Sequence, residues 1–240
     1  MIALVRAELL KARTTRTALA LVLGLLAIVA FFGNVHAATL DENLASTDAT
    51  RDNLGALGFV ALFALVFGLL ASAGEHRHGT ISQTYLVAPV RERVVAAKAV
   101  AAAIFGAAIW AVAAALAVTI AAIWFAARGF EFDAADAWSV LWPTLVLATL
   151  WAPLGVGIGF VLPNQVGAIV VVLGWLFVVE SIVQGLLPDV HWYLPGGLAE
   201  ALVNGDSEGP SRTASAALTA AYAVEVTALG SALERRRDVT

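Results

Sequence analysis

The sequence contains no cysteine, and only 13% of its residues are charged. The lack of cysteine excludes disulfide frameworks, zinc–thiolate sites, iron–sulfur clusters and thiolate nucleophiles. An ordinary soluble domain carries about 25% charged residues, so this scarcity of charge argues against a water-soluble globule. The net charge of −4 argues against a protein whose whole surface binds nucleic acid. Hydrophobic residues, in contrast, make up 60% of the sequence.

Motifs for nucleotide binding and hydrolysis are also missing. The sequence has no G-x-x-x-x-G-K-[ST] loop, so the chain should not hydrolyse ATP by itself, and it has no H-E-x-x-H or G-x-S-x-G motif. The glycines Gly155 and Gly159 lie in an apolar run and favour close helix packing over nucleotide binding. His76 and His78 have no third ligand nearby, so we expect a solvated loop rather than a metal site. The sequence therefore predicts neither an enzyme nor a cofactor or metal bound by this chain.

Six stretches are long and apolar enough to cross a membrane, for which roughly 20 residues are needed. Because the runs are continuously apolar, they favour helices over a membrane barrel. The first run exceeds the core of a signal peptide, which is about 7–15 residues, so we interpret it as a span. The connecting stretches are too short for a soluble domain, so we predict one all-α membrane domain over 1–240. The predicted spans are 17–35, 54–73, 99–126, 138–162, 167–187 and 213–233.

Lys and Arg are distributed unevenly between the connecting stretches. Most of them precede the first span, lie between the second and third spans, or follow the sixth. The opposite stretches are rich in Asp and Glu. Because positively charged segments stay in the cytoplasm, we expect both termini there, in a multi-pass protein of a bacterial plasma membrane. The basic residues of the opposite stretches are Arg51, Arg128 and Arg212.

Two acidic residues, Glu180 and Glu225, lie inside predicted spans. A carboxylate in a membrane costs several kcal/mol unless it is protonated, paired or hydrated. Both are therefore candidates for a substrate or proton path. In the alternative interpretation, Glu180 reaches water near the end of its span and Glu225 faces a partner helix or an aqueous cavity.

Residues 2–14 have the pattern of a short amphipathic helix lying on the membrane before the first span. Ile2, Val5 and Leu9 fall on one stripe, and we place Glu8 and Lys11 roughly opposite. This arrangement predicts an elbow helix.

A polar segment connects the second and third spans, from Glu75 to Lys98. Thr80, which follows Gly79, is predicted to cap a helix, and Pro89 is predicted to begin a second one. A helix, a break and a second helix form either a docking element for a soluble partner or a simple connector.

These segments resemble the type-2 permease family of ATP-binding-cassette (ABC) exporters in their order and spacing. The similarity extends over essentially the whole chain, although the charge at Glu225 departs from the family's apolar sixth span. The residues that carry it are Arg6, Glu8 and Lys11 before the first span, Glu75, Gly79, Thr80, Pro89, Arg91 and Lys98 after the second, and the ending Arg236-Arg237-Asp238-Val239.

The resemblance implies a half-size permease that pairs with a second copy or a paralogous permease and docks on a separate ATPase subunit. ATP and Mg²⁺ would be bound by that partner. The resemblance assigns Glu8 and Lys11 to the elbow helix and implies short re-entrant helices within 186–203. It implies a coupling helix in the segment that contains Glu75, Gly79, Thr80, Pro89, Arg91 and Lys98.

Two other functions are compatible with the same spans. One is a proton-coupled secondary transporter that uses Glu180 and Glu225, against which the lack of internal inverted repeats counts. The other is a membrane anchor or regulator without transport activity. The transported substrate does not follow from the sequence.

Overall fold

The computed structural model describes residues 1–39, 49–77, 79–205 and 208–237. Every regular element in these ranges is a helix, and six long helices among them are apolar enough to cross a membrane. The prediction of an all-α, multi-pass membrane protein is confirmed at this level. His78, Asp238 and Val239 lie outside the described residues. The six long helices are Arg16–Thr39, Gly55–Arg77, Arg91–Arg128, Ala134–Val161, Gln165–Leu186 and Arg212–Arg236.

Short helices and turns complete the chain around these spans. A 3-10 turn, Gly55–Gly58, begins the second long helix, and a π-helical turn, Trp175–Val179, lies within the fifth. The helices are α1 (Ile2–Thr14), α2 (Arg16–Thr39), α3 (Ala49–Asn53), α4 (Phe59–Arg77), α5 (Thr80–Val87), α6 (Arg91–Arg128), α7 (Ala134–Val161), α8 (Gln165–Gly174), α9 (Glu180–Leu186), α10 (Pro188–His191), α11 (Pro195–Asn204) and α12 (Arg212–Arg236).

Helices α4 and α7 form the centre of the bundle, with α6 and α12 packed on α7 and α2 packed on α6. Glycines make the central contact close. A Cβ atom on Gly155 would collide with the carbonyl oxygen of Leu65, and one on Gly159 would collide with the hydroxyl of Ser72. The close helix packing predicted for Gly155 and Gly159 is therefore confirmed.

The break between α5 and α6 differs from the prediction. Gly79 is the N-cap of α5, and its φ of 65° is a left-handed conformation that favours glycine. Thr80 is the first helical residue, and no side chain caps the helix by a hydrogen bond. Pro89 lies in the break and does not begin a helix, since α6 starts at Arg91 after the N-cap Val90. Both expectations were wrong by one or two residues.

The third span begins earlier than its hydropathy predicts. The polar residues from Arg91 onward already form the first turns of α6, so Lys98 lies inside the helix rather than before it. Hydropathy detects where a helix becomes apolar, whereas the backbone of α6 begins directly after the proline break.

Helix α1 and the C-terminal end of α12 lie at the same end of the bundle. Lys98 of α6 contacts Glu8 of α1, and Tyr85 of α5 contacts Glu234 of α12. We call this the basic end. The opposite end carries α3 and α11, which Arg51 joins by donating a hydrogen bond to the Asn204 carbonyl.

Candidate functional site

Four charged side chains from three helices meet at the basic end. We call Glu8, Lys11, Glu75 and Lys98 the α1 cluster. The Lys98 ammonium lies 2.6 Å from a carboxylate oxygen of Glu8 and 2.7 Å from one of Glu75. The Lys11 ammonium lies 2.7 Å from Glu8 and 2.8 Å from Glu75. Each lysine bridges both glutamates, so opposite charges alternate around a closed ring.

The two lysines of this ring differ in burial. The side chain of Lys98 is 1% exposed and that of Lys11 is 45% exposed. Burial acts to lower the pKa of Lys11, but the hydrogen bonds and charges of Glu75 and Glu8 outweigh it and raise that pKa. A buried ammonium is stable only with paired acceptors, so Lys98 fastens α1 to the end of α4 and the start of α6.

Helix α1 is turned differently from the amphipathic prediction. Glu8 lies on the inward face with Val5, Leu9 and Ala12, whereas Ile2 is 73% exposed. The expected position of Glu8 opposite the apolar stripe was wrong. The buried charge of Lys98 explains the difference, because it needs the Glu8 carboxylate inside.

A second cluster surrounds Glu234 in the last turn of α12. We call Glu234, His76, Tyr85, Arg91 and Arg237 the Glu234 cluster. The buried Glu234 carboxylate accepts a hydrogen bond of 2.9 Å from the Tyr85 hydroxyl, and lies 3.1 Å from His76 Nε2 and 3.3 Å from Arg237 Nη1. Burial and this carboxylate raise the pKa of Tyr85, so its hydroxyl stays the donor.

Arg91 fastens the start of α6 to the end of α12. Its Nη1 atom donates hydrogen bonds of 2.5 Å to the carbonyl of Glu234 and 2.7 Å to that of Arg237. Carbonyls in the last turn of a helix lack helical partners and favour a cation. The guanidinium also lies 5.1 Å from the centre of the Tyr85 ring, which connects α5 to the same contact.

His76 does not belong to a solvated loop. Its ring contacts the Ser72 carbonyl at 3.1 Å as well as Glu234, and its side chain is only 14% exposed. The expectation of a solvated histidine was wrong because the end of α12 covers it.

Helix α5 joins these clusters to the surface of the basic end. Ile81 and Tyr85 are buried on its inner side, whereas Leu86 and Val87 are 85% and 86% exposed. Leu86 and Val87 are the two most exposed large apolar side chains among the described residues and lie outside the six long apolar helices, so they form a candidate contact surface. Thr80 is exposed at the other end of the same helix.

The predicted coupling residues thus separate into two groups. Glu75, Lys98 and Arg91 hold helices together, whereas Gly79, Thr80 and Pro89 lie exposed at the two ends of α5. Sequence reasoning missed Glu234 and Tyr85, as well as the exposed pair Leu86 and Val87. The available signal was an acidic residue directly before the three arginines Arg235, Arg236 and Arg237, which the sequence pattern related only to the topology and to the family resemblance.

Glu180 is buried at the start of α9, so the alternative interpretation in which it reaches water is wrong. Its carboxylate accepts a hydrogen bond of 2.8 Å from the backbone N–H of Gly196. Gly196 belongs to the first turn of α11, where free N–H groups favour a negative charge. A Cβ atom on Gly196 would collide with this carboxylate. Glu180 therefore joins the fifth span to α11.

Glu225 lies on the exposed face of α12, near the middle of that helix. None of the ion pairs among the described residues includes it. The two acids that composition alone treats as equivalent thus have opposite surroundings.

Two partly open cavities lie beside α7, with volumes of about 420 and 350 Å³. They share Trp151 and Leu176 as lining residues. The larger one extends toward Glu200 and Asn204 of α11, and the other is lined only by apolar side chains and the ring of Tyr222. The lining of both cavities is mainly apolar.

No cluster of three His, Cys, Asp or Glu side chains suited to a metal ion occurs in the described part of the chain. No model of a known protein family matches the sequence, and no curated protein matches it. The geometry of the basic end is therefore the main evidence on function.

Proposed function

We propose that the chain is the membrane-spanning permease subunit of an ABC exporter, forming the translocation path as a dimer and driven by a separate ATP-hydrolysing subunit. The observation that carries this proposal is α5, an eight-residue helix with one side anchored and Leu86 and Val87 exposed. A short helix with apolar anchors fits a groove on a soluble protein. In this proposal the basic end faces the cytoplasm, in agreement with its Lys and Arg content.

The two clusters would transmit a movement of the proposed partner to the membrane-spanning helices. A movement of α5 acts on α12 through the Tyr85–Glu234 hydrogen bond and on α6 through Arg91. The α1 cluster ties α1, the proposed elbow helix, to α4 and α6. Because these contacts link whole helices, the expected response is a rigid-body shift between two packings. ATP and Mg²⁺ are bound by the partner in this scheme.

The proton-coupled alternative receives less support. Glu180, one of its two carboxylates, holds the first turn of α11 by accepting the Gly196 N–H, which is a structural task. A membrane anchor without transport activity would give the exposed pair on α5 no nucleotide-dependent role.

The test expresses the tagged full chain in its native membrane and measures the nucleotide-hydrolysing protein that co-purifies with it. The variant L86A/V87A removes the exposed pair, and L186A/L187A is the matched control. Leu186 and Leu187 are also adjacent and exposed, 75% and 56%, but lie at the opposite end. We expect the first variant to reduce the co-purified ATPase at least about tenfold, since buried apolar anchors cost about 1–2 kcal/mol or more each on truncation. Equal recovery with both variants would contradict docking through α5.

A further inference from the structure

Three partly open cavities adjoin one another along α7. The cavities of about 420 and 350 Å³, which share Trp151 and Leu176, are called the central cavity and the apolar cavity. A polar cavity of about 330 Å³ shares three lining residues with the central one, namely Gly55, Val203 and Asn204. The α7 residues that line the three cavities extend from Val140 to Val161, a distance of about 30 Å at about 1.5 Å per residue. We call the three cavities together the α7 groove.

The lining of the α7 groove changes from charged to apolar along its length. His36, Arg51 and Asp52 line the polar cavity, which lies beside α3 and α11 at the end opposite the basic end. The apolar cavity is lined by aliphatic side chains and aromatic rings. Binding sites are typically apolar with a few polar groups that fix the orientation of the ligand. The groove therefore suits a molecule with a polar headgroup and a long hydrocarbon chain.

Two guanidinium groups lie beside the polar cavity. Arg51 and Arg212 donate hydrogen bonds of 3.5 and 3.0 Å to the same carbonyl oxygen in the last turn of α11. Neither arginine, nor Asp52, belongs to an ion pair among the described residues. Glu200, which lines the central cavity, lies 3.4 Å from His191 Nε2. In this part of the described chain, two guanidinium groups and the carboxylate of Asp52 leave one positive charge, which matches a headgroup with one phosphate.

Two buried polar atoms along the α7 groove have no hydrogen-bond partner among the described residues. One is Nε2 of His36, which lines the polar cavity, and the other is the indole N–H of Trp151, a side chain that is only 6% exposed. Buried polar groups are nearly always hydrogen-bonded, so each of these needs an explanation. Oxygen atoms of a bound ligand would satisfy both.

We propose that the α7 groove of a single copy binds a phospholipid, with its phosphate at Arg51 and Arg212 and an acyl chain in the central and apolar cavities. The site lies within one copy of the chain, whereas the proposed translocation path is formed by two. The proposal goes beyond the proposed function and does not depend on it. Lipid binding is measured without an ATPase, so a failure here is distinguishable from a failure of docking through α5.

The test adds phosphatidylglycerol to the full chain, purified in an uncharged detergent, and counts the retained lipids by native mass spectrometry. Diacylglycerol with the same acyl chains is the control, because it lacks the phosphate. We expect one phosphatidylglycerol per copy and at least about tenfold weaker retention of diacylglycerol, since the hydrogen bonds between the arginines and the phosphate are lost. Equal retention of the two lipids would overturn the proposal, and so would displacement of phosphatidylglycerol by an equal concentration of inorganic phosphate.

The location of the lipid is tested by Gly58→Leu. Gly58 lines the central cavity, and a Cβ atom there would have no neighbour within 4 Å, so a larger side chain has room to fill the cavity without strain. Gly174→Leu is the matched control, because a Cβ atom there is equally free but Gly174 lines none of the three cavities. We expect Gly58→Leu to weaken retention at least about tenfold and Gly174→Leu to retain the lipid as the wild type does.

The headgroup contact is tested by Arg51→Gln, with Arg93→Gln as its control. Arg93 is an exposed arginine of α6 outside the α7 groove. We expect Arg51→Gln to weaken retention of phosphatidylglycerol about tenfold and to leave retention of diacylglycerol unchanged, because only the phosphate pairs with the guanidinium. Thermal unfolding checks that all variants are folded. Wild-type retention of phosphatidylglycerol by either Gly58→Leu or Arg51→Gln would overturn the proposal.

Discussion

The α1 cluster and the Glu234 cluster are neighbours at the basic end, but they are built differently. The first is a ring of two lysines and two glutamates, whereas the second surrounds one carboxylate with a hydroxyl, an imidazole and a guanidinium. Glu75 and His76 are adjacent in α4 and turn to different clusters, because successive helical residues point about 100° apart. The end of α4 is thus the common support, and each cluster holds one terminal helix, α1 or α12.

The largest effect is expected for Lys98→Met. Lys98 is the most buried charge of the ring. Its loss would leave Lys11, which is half exposed, as the only cation of the ring that pairs with Glu8 and Glu75. We expect the free energy of unfolding to fall by about 3–5 kcal/mol, measured by thermal and denaturant unfolding in detergent. In the control E8Q/E75Q/K98M the uncompensated carboxylates are gone, and part of the stability should return. A control as unstable as the single variant would show that packing, not charge, sets the cost.

A smaller effect is expected for Glu234→Gln. The carboxamide keeps the shape and one acceptor, but Tyr85, His76 and Arg237 lose a charged partner. We expect a loss of about 1–3 kcal/mol and faster backbone hydrogen exchange in α5, because Tyr85 anchors that helix. Glu225→Gln is the matched control, since Glu225 is exposed on the same helix and should change neither quantity. An unchanged rate of backbone hydrogen exchange in α5 would show that the Glu234 cluster does not stabilise this helix.

The smallest effect is expected for Lys11→Met. Its side chain is 45% exposed, and Lys98 continues to bridge both glutamates in its absence. We expect a change of about 0–1 kcal/mol in the free energy of unfolding, decreasing further as salt is added. A loss as large as that of Lys98→Met would mean that burial does not determine how much each lysine contributes to the free energy of unfolding.

The spans were predictable because hydropathy depends only on local composition. Each predicted span overlaps a helix of the structure, although α6 extends back to Arg91 through polar residues that hydropathy ignores. The all-helical class follows from the same local signal. The close contacts of Gly155 and Gly159 were also predictable, since small residues at this spacing in a span favour close packing.

The clusters depend on tertiary contacts and were only partly predictable. Glu8, Lys11, Glu75 and Lys98 were singled out as motif residues, but their closed ring requires three helices to converge and could not be read from spacing. Glu234 was missed because it follows a weakly apolar span and precedes arginines that suit a membrane surface equally well. The opposite surroundings of Glu180 and Glu225 likewise depend on which face of each helix the bundle covers.

Docking of an ATPase through α5 is tested by the amount of ATPase subunit that co-purifies with the detergent-solubilised chain, together with its rate of ATP hydrolysis. We expect the wild type to recover a nucleotide-hydrolysing subunit and L86A/V87A to lose it. We expect Glu234→Gln to retain the subunit but to change its hydrolysis rate, because the hydrogen bond that links α5 to α12 is weakened. A wild-type preparation that recovers no such subunit and is inert to ATP would rule out the exporter function and favour proton coupling.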